Sequence, residues 1–457
     1  MPTNTAQQVF KATLIHAPVL GEIQISEQAL ISVDEKGVIT SVLETGDQAY
    51  STLHVEAETE GRLNCLPEGQ YLLPGLVDLH VHAPQWPMVG KALHLPLYEW
   101  LEKHTFPLEA RYADTDFAKE VYESLVETLL ANGTTTAVYF GTIHNPANQA
   151  LAEICLKRGQ RAFVGKVAMD DEEQCPEYYR DVSAVEAVKQ TRELIDYIVS
   201  MPGNEEGLVR PIITPRFIPS CTDELLHGLG HLASETCCHV QTHCSESDWE
   251  HSYVLERCGK TDTDVLNEFG LLGRRTILAH SNHVTDQDCA TIKVAGAGVA
   301  HCPLSNFYFA NAVFPLRAAL EKEMHVGLGT DISAGPSPSI FDSCRQAISA
   351  SRLLEDGVDQ RRSAGERGRE NSRIDFRHAF WLATAGGGEV LDLPVGKFEA
   401  GYHFDAIAID VKASTSPIAV WNGLDQTADV AQKIIYGATR ANVARVWVNG
   451  GERGKPK

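Results

Sequence analysis

Leu73-Pro-Gly-Leu-Val-Asp-Leu-His-Val-His-Ala-Pro-Gln85 is the stretch on which the rest of the chain depends. Val77, Leu79 and Val81 alternate with Asp78, His80 and His82, the period of a β-strand. Residues two apart on a strand point to the same side, so His80 and His82 project together while Val81 packs behind them. Two imidazoles on a rigid strand, just ahead of a turn at Ala83-Pro84, make half of a tetrahedral or five-coordinate metal site. An isolated His-x-His carries little information. Here a Pro-Gly turn leads into an apolar strand that ends in the pair, and the question is where further ligands lie.

Outward from that strand, residues 74–390 alternate apolar strands with helical stretches, as a parallel α/β fold requires. The strands are predicted at 76–82, 134–140, 162–169, 209–217, 239–243, 276–280, 298–301 and 325–329, with helices such as 117–130, 185–200 and 264–268 between them. Such a series of strand–helix units predicts a (β/α)8 TIM-type barrel, whose active site lies at the C-terminal strand ends. A doubly wound open sheet is the alternative. Short strands are predicted on the N-terminal side at 10–16, 23–25, 29–33 and, after the turn Asp34-Glu-Lys-Gly37, at 38–43. The same texture returns at 404–410 and 443–450. Two β-rich ends around a different middle predict a small β-sandwich built from residues 1–73 and 391–457, bracketing a catalytic barrel at 74–390 and bringing the termini together.

The chain has 457 residues, 43% of them hydrophobic and 22% charged, a globular composition. Its net charge of −22 makes nucleic acid, anionic membrane and polyanionic ligands poor partners and a neutral small molecule the natural one. Eleven cysteines, an odd number without a C-x-x-C pair, read as reduced thiols of a cytoplasmic protein. Residues 1–10 lack the pattern of a signal peptide. The run 294–316 carries no Asp, Glu, Lys or Arg, but its His301, Pro303, Asn306, Asn311 and Pro315 predict helix end, buried strand and loop rather than a membrane span. Densely mixed charge around 355–373 predicts an exposed loop, with acids interleaved among its arginines.

Polar residues fall where a barrel would use them. The fifth strand ends in Gln241-Thr-His243, followed by Cys-Ser-Glu246; the sixth ends in Ala279-His280; the eighth ends in Gly329-Thr-Asp331. Of 18 histidines, His80, His82, His243 and His280 stand apart because each closes an apolar strand. Neutral imidazoles with one carboxylate suit a borderline divalent cation such as Zn²⁺, and Fe²⁺ fits the same donors. Such a site activates water, which then needs a proton shuttle, and Glu246 is placed to be one. The bland alternative for Glu246 is a carboxylate at a helix N-terminus.

These motifs, with His-Cys-Pro303 and Gly396-x-x-Glu-x-Gly-Tyr-x-x-Asp-Ala406, resemble the amidohydrolase superfamily and its deaminase branch. The stretches His82-Ala-Pro-Gln85, Leu97-Tyr-Glu-Trp-Leu-Glu-Lys-His-Thr-Phe-Pro107, Asn132-Gly-Thr-Thr-Thr136, Gln160-Arg-Ala-Phe-Val-Gly-Lys166 and Thr214-Pro-Arg-Phe217 more closely resemble the guanine deaminase family, over nearly the whole chain. The resemblance implies that His80, His82, His243 and Asp331 hold zinc and that Glu246, Asp331 and His280 are catalytic. It implies that His82, Ala83, Pro84, Gln85, Arg216, Phe217, His243, Glu246 and Asp331 contact the substrate, guanine. For Arg216 the alternative is an ion pair at the barrel rim. The fourth strand supplies no lysine of the kind that binuclear relatives carboxylate, which favours one metal per chain. Relatives also imply a homodimer. Two departures are the length of the 355–373 insertion and a C-terminus, Gly451-Glu-Arg-Gly-Lys-Pro-Lys457, without the apolar last residue that PDZ domains capture. The alternatives to guanine hydrolysis are deamination of a pterin, triazine or adenine-type ring, and a metal-free scaffolding relative. The base-editing type of zinc deaminase is excluded, because no H-x-E precedes a P-C-x-x-C.

Overall fold

The computed structural model describes residues 8–453. Residues 1–7, part of the stretch argued to lack a signal peptide, and 454–457, the end of the tail argued against PDZ capture, lie outside the described residues.

Eight parallel strands form the barrel: Leu76–His82, Thr134–Phe140, Arg161–Gly165, Val209–Pro215, His239–Cys244, Thr276–His280, Gly298–His301 and His325–Leu328, called here the first to the eighth. Each pairs in parallel with the next. The ring closes where His82 N–H donates to Ile332 O at 2.8 Å and Asp331 N–H donates to His80 O at 2.8 Å. Those bonds join the first strand to the residues just past the eighth, and the open sheet is thereby excluded. The third strand is shorter than predicted. It breaks at Lys166, whose buried ammonium turns to Asp181 at 2.6 Å, and resumes as Val167–Ala168 against the fourth.

The first strand is not a simple two-sided ribbon. Val77 and Leu79 pack with Val138, Phe163 and Ile212 in the lower barrel interior, whereas Leu76 and Val81 belong to the outer layer under the helices. The pairing register shifts between Asp78 and Val81. That irregularity changes which parity faces inward, so His80 and His82 also turn into the barrel, above Val77 and Leu79 instead of opposite them. Gly329 allows the eighth strand to approach: a Cβ there would sit 2.9 Å from both Cys302 Sγ and His80 Cβ.

Both chain ends supply one further sheet, in the order Gly451–Arg453, Val443–Val448, Ala406–Asp410, Gln70–Pro74, Gln8–His16, Gln24–Val33 and Ile39–Leu43, with Leu63–Cys65 beside Gln8–His16. The two short strands predicted at 23–25 and 29–33 are one strand carrying an irregularity. One face curls around Phe10, Ile31, Ala406, Ala408 and Trp447, with Phe10 stacked on Phe404 at 4.3 Å between ring centroids. The opposite face, through Ile407, Ile409, Val446 and Val448, packs into the barrel's outer core. Arg161 of the third strand makes two hydrogen bonds to buried Asp405, at 3.0 and 3.2 Å, and also donates to Asn449. A buried ion pair of this kind ties sheet to barrel.

The 355–373 segment is largely exposed; it starts in the end of the helix Ile340–Asp356 and includes the short 3-10 turn Ala364–Glu366. Glu355 fastens its far end by accepting from Ser372 N–H at 3.0 Å and Arg373 N–H at 2.9 Å. The uncharged run 294–316 resolves into the end of the helix Asp286–Ala295, the seventh strand and a set of short turns. Among the described residues no helix is long and apolar enough to cross a membrane.

Candidate active site

At the C-terminal mouth of the barrel, buried donor atoms gather in two overlapping groups, His80–His82–His243 and His80–His280–Asp331. His82 Nε2 lies 3.0 Å from His243 Nε2, and Asp331 Oδ1 lies 3.3 Å from His80 Nε2 and 3.5 Å from His82 Nε2. Ligands at about 2.05 Å from a tetrahedral cation are separated by roughly 3.3 Å, close to these three separations. His80 Nε2 is buried and makes no hydrogen bond. Burial, and the neighbouring imidazoles after it, hold His80, His82 and His243 far below the ordinary histidine pKa, so all three are neutral donors. The donor set therefore fits a divalent cation of the zinc type.

The ligand orientations are built in by neighbouring groups. His243 Nδ1–H donates to Arg216 O at 2.6 Å, which leaves Nε2 as the lone pair facing the site. Asp78, buried in the first strand, accepts from Thr330 N–H at 2.9 Å and Thr330 O–H at 2.6 Å and so holds the turn that carries Asp331. Three ends of strands reach the site through left-handed backbone at non-glycine residues, Ser245 at φ 48°, His280 at 68° and Asp331 at 52°. Such conformations cost on the order of 1 kcal/mol each and persist where surrounding contacts enforce them.

His280 shares the second group with His80 and Asp331, and its other ring nitrogen is committed elsewhere. Its Nδ1–H donates to Asn306 Oδ1 at 3.0 Å, and Asn306 is itself held by Asn282. The free Nε2 lies 3.7 Å from Glu246 Oε1 and 3.7 Å from Asp331 Oδ2. Burial, followed by the charge of Asp331 and opposed by Arg216, pushes the Glu246 carboxyl up to about 8; burial raises Asp331 to about 6. Glu246 is not part of the helix that follows, which runs from Asp248 to Cys258 and is capped by Ser247. Its backbone is instead fixed by carboxylates, Glu250 accepting from Glu246 N–H and Asp262 from Ser245 N–H.

A pocket opens from this cluster, lined by His82, Gln85, Leu97, Trp100, Leu101, Arg216, Phe217, His243, Glu246, Asp331 and Ala334. It brings together every residue singled out from the sequence except His80, His280, Ala83 and Pro84; the first two sit directly behind it and the last two are buried in the turn leading to Gln85. Arg216 does form an ion pair, but deep inside: its guanidinium donates to Glu109 at 2.6 and 3.3 Å, and both residues are buried. Gln85 Nε2 donates to the same carboxylate at 2.9 Å. Sequence reasoning missed Glu109, Asp78, Asn306 and the Leu97–Trp100–Leu101 wall. Asp78 could have been found as a charged residue inside a buried strand; nothing local marks Glu109.

The model of the amidohydrolase family matches residues 71–452. The chain belongs to the amidohydrolase family. Among other amidohydrolases, it is 37% identical to guanine deaminase of Dictyostelium discoideum, over 98% of this chain and 99% of that one. It is 36% identical to guanine deaminase of Homo sapiens, over 97% of this chain and 95% of the relative. The crystal structure of guanine deaminase from C. acetobutylicum with guanine bound in its active site superposes with a TM-score of 0.87 at 31% identity, covering 98% of this chain and all of that one, 100%. The family resemblance expected from the motifs is thus borne out over the whole chain.

Proposed function

We propose that the protein hydrolyses guanine to xanthine and ammonia. The observation that carries this is the continuity of one pocket from His82, His243 and Asp331, past Glu246, to the hydrogen-bonding wall of Gln85 and Arg216. The full-length similarity to guanine deaminases supports the same substrate.

His80, His82, His243 and Asp331 would hold one Zn²⁺ per chain. When bound, the cation supplies an acidified water as nucleophile and charge stabilisation at the reacting carbon. Arg216 and Gln85 orient the purine by donating to its ring edge, while Phe217 and the apolar Leu97–Trp100 wall cover its faces and exclude water. The oxygen of water ends on the carbon that bore the amino group, and the carbon–nitrogen bond breaks. Water's two protons pass to Asp331 and Glu246 and are delivered to the adjacent ring nitrogen and to the departing amine, which leaves as ammonia. His280, with Nδ1–H committed to Asn306, presents a lone pair between the two carboxyls and can relay between them.

The domain boundaries at 73/74 and 390/391 are part of the proposal; the helix Gly387–Val390 is the last element before the chain returns to the terminal sheet. A cytoplasmic homodimer is also proposed, supported by eleven cysteines that form no disulfide and by the resemblance to the family. Light scattering after size exclusion tests the dimer. The function is tested by following ammonia and xanthine release from guanine with metal analysis on the same preparation. About one equivalent of zinc and turnover of guanine are expected. Metal-loaded, folded protein that leaves guanine intact overturns the activity, two equivalents in fully active protein overturn the mononuclear site, and His243→Ala with full metal occupancy overturns the ligand set.

A further inference from the structure

Glu109 is a buried carboxylate that no ligand set requires. It lies in the turn Phe106–Glu109 ahead of the helix Thr115–Ala131, at 0% exposure, and does not line the pocket itself. Three donors converge on it. Arg216 Nη1 donates to Oε2 at 2.6 Å and Nη2 to Oε1 at 3.3 Å, and Gln85 Nε2 donates to Oε1 at 2.9 Å. The hydroxyl of buried Tyr179, which meets Thr142 Oγ1 at 3.0 Å, is a further hydrogen-bonding neighbour. On its other side the Arg216 guanidinium lies 5.1 Å over the Phe106 ring. Its position is therefore set from two directions.

The amide of Gln85 is fixed at both ends. Nε2 donates to Glu109, and Oε1 accepts from Ser333 N–H at 3.3 Å. Flipping the amide would set its oxygen against a carboxylate oxygen and its NH2 against an N–H donor, two repulsions in place of two bonds. An acceptor-only group at 109 enforces this choice together with Ser333 N–H. The substrate then meets a wall that offers donors from Arg216 and the remaining Gln85 N–H, which suits a ring carbonyl and rejects an amino group at that place.

We propose that Glu109 is a positioning residue that sets purine specificity, by fixing the donor face that Arg216 and Gln85 present to the ring oxygen. The inference rests on the proposed contact of Arg216 and Gln85 with the substrate. Its bland rival is that Glu109 merely neutralises a buried arginine, and Glu109→Asp separates the two. Aspartate keeps the charge but withdraws the carboxylate by one methylene, so neutralisation survives and the three-way geometry does not. Glu109→Gln removes the charge and returns a donor to face Gln85.

The experiment measures kcat and KM of both variants and the parent for guanine and for 2,6-diaminopurine, which carries the same reacting 2-amino group but an amino in place of the 6-oxygen. Bound zinc and thermal midpoint are read on the same samples, with Arg216→Lys as control. Glu109→Asp should raise KM for guanine at least about tenfold with kcat within about threefold and zinc unchanged, the scale of one or two lost hydrogen bonds. The preference for guanine over 2,6-diaminopurine in kcat/KM should fall by at least about tenfold, since specificity against the amino ring depends on a fixed donor face. If Glu109→Gln does not fold, Glu109→Asp alone decides. Parent-like KM and preference in Glu109→Asp, alongside weakened binding in Arg216→Lys, overturn the positioning role. Parent-like KM in Arg216→Lys as well overturns the substrate contacts beneath it.

Discussion

Replacing Glu246 by Gln separates proton transfer from binding. Glutamine has the same size and keeps one acceptor, but cannot take up and return a proton. In the structure Glu246 is 6% exposed, its Oε1 is 3.7 Å from His280 Nε2, and burial pushes its pKa up to about 8. A carboxyl raised to that range can hold a proton and give it up near neutral pH, as a shuttle must. Positioned acid–base groups contribute about 10²–10⁴-fold, or roughly 2.7–5.5 kcal/mol of barrier. The variant should therefore retain its metal and bind guanine while kcat falls at least about 100-fold. Stability supplies an independent sign. The folded-state pKa is raised above the ordinary 4.5, so the cost of keeping this carboxyl buried is absent below about pH 4.5 and grows as pH rises toward 8. Glutamine never ionises, so the melting temperature near pH 7 should be unchanged or higher. A carboxylate serving only a helix N-terminus would instead contribute about 0.3–1 kcal/mol that the variant loses, with near-normal turnover. Turnover within a few-fold of the parent would refute the shuttle.

Three further outcomes follow from packing and charge. Gly329→Ala places a methyl 2.9 Å from Cys302 Sγ and His80 Cβ, so His80 must shift; overpacking of about 1–3 kcal/mol should appear as faster metal loss to a chelator, and parent-like loss would count against it. Asp405→Ala strands the Arg161 guanidinium, which is 2% exposed, and should cost about 3–5 kcal/mol in denaturant unfolding; a loss under about 1 kcal/mol would show the pair to be dispensable. His16 is buried and accepts Phe398 N–H through Nδ1 at 3.2 Å, and burial lowers its pKa to about 4. Because the folded value is depressed below 6.5, its stabilising contribution is complete above that pH and is lost as pH falls toward 4, by about 2 kcal/mol at pH 5; His16→Gln should flatten that acid limb.

The strand ends of the barrel were legible because strand periodicity is a local property of the backbone. Four strands, Leu76–His82, Thr134–Phe140, Thr276–His280 and Gly298–His301, have the predicted limits. His80, His82, His243, His280 and Asp331 could be singled out for the same reason: a polar residue that ends an apolar run is conspicuous within a few positions. Local pattern thus marked the barrel and picked out candidate donors and the acidic neighbour Glu246. Tertiary structure alone decided how they face each other. The register shift between Asp78 and Val81, which turns both first-strand histidines into the barrel, arises from pairing with the second strand and leaves no trace in the alternation of residues. Glu109 meets Arg216 across 107 positions and Gln85 across 24. A carboxylate in a short irregular helix has no periodicity to betray it. Its role is set by the path of the chain across the barrel mouth, because a buried guanidinium needs a counter-charge wherever one can be brought within about 3 Å.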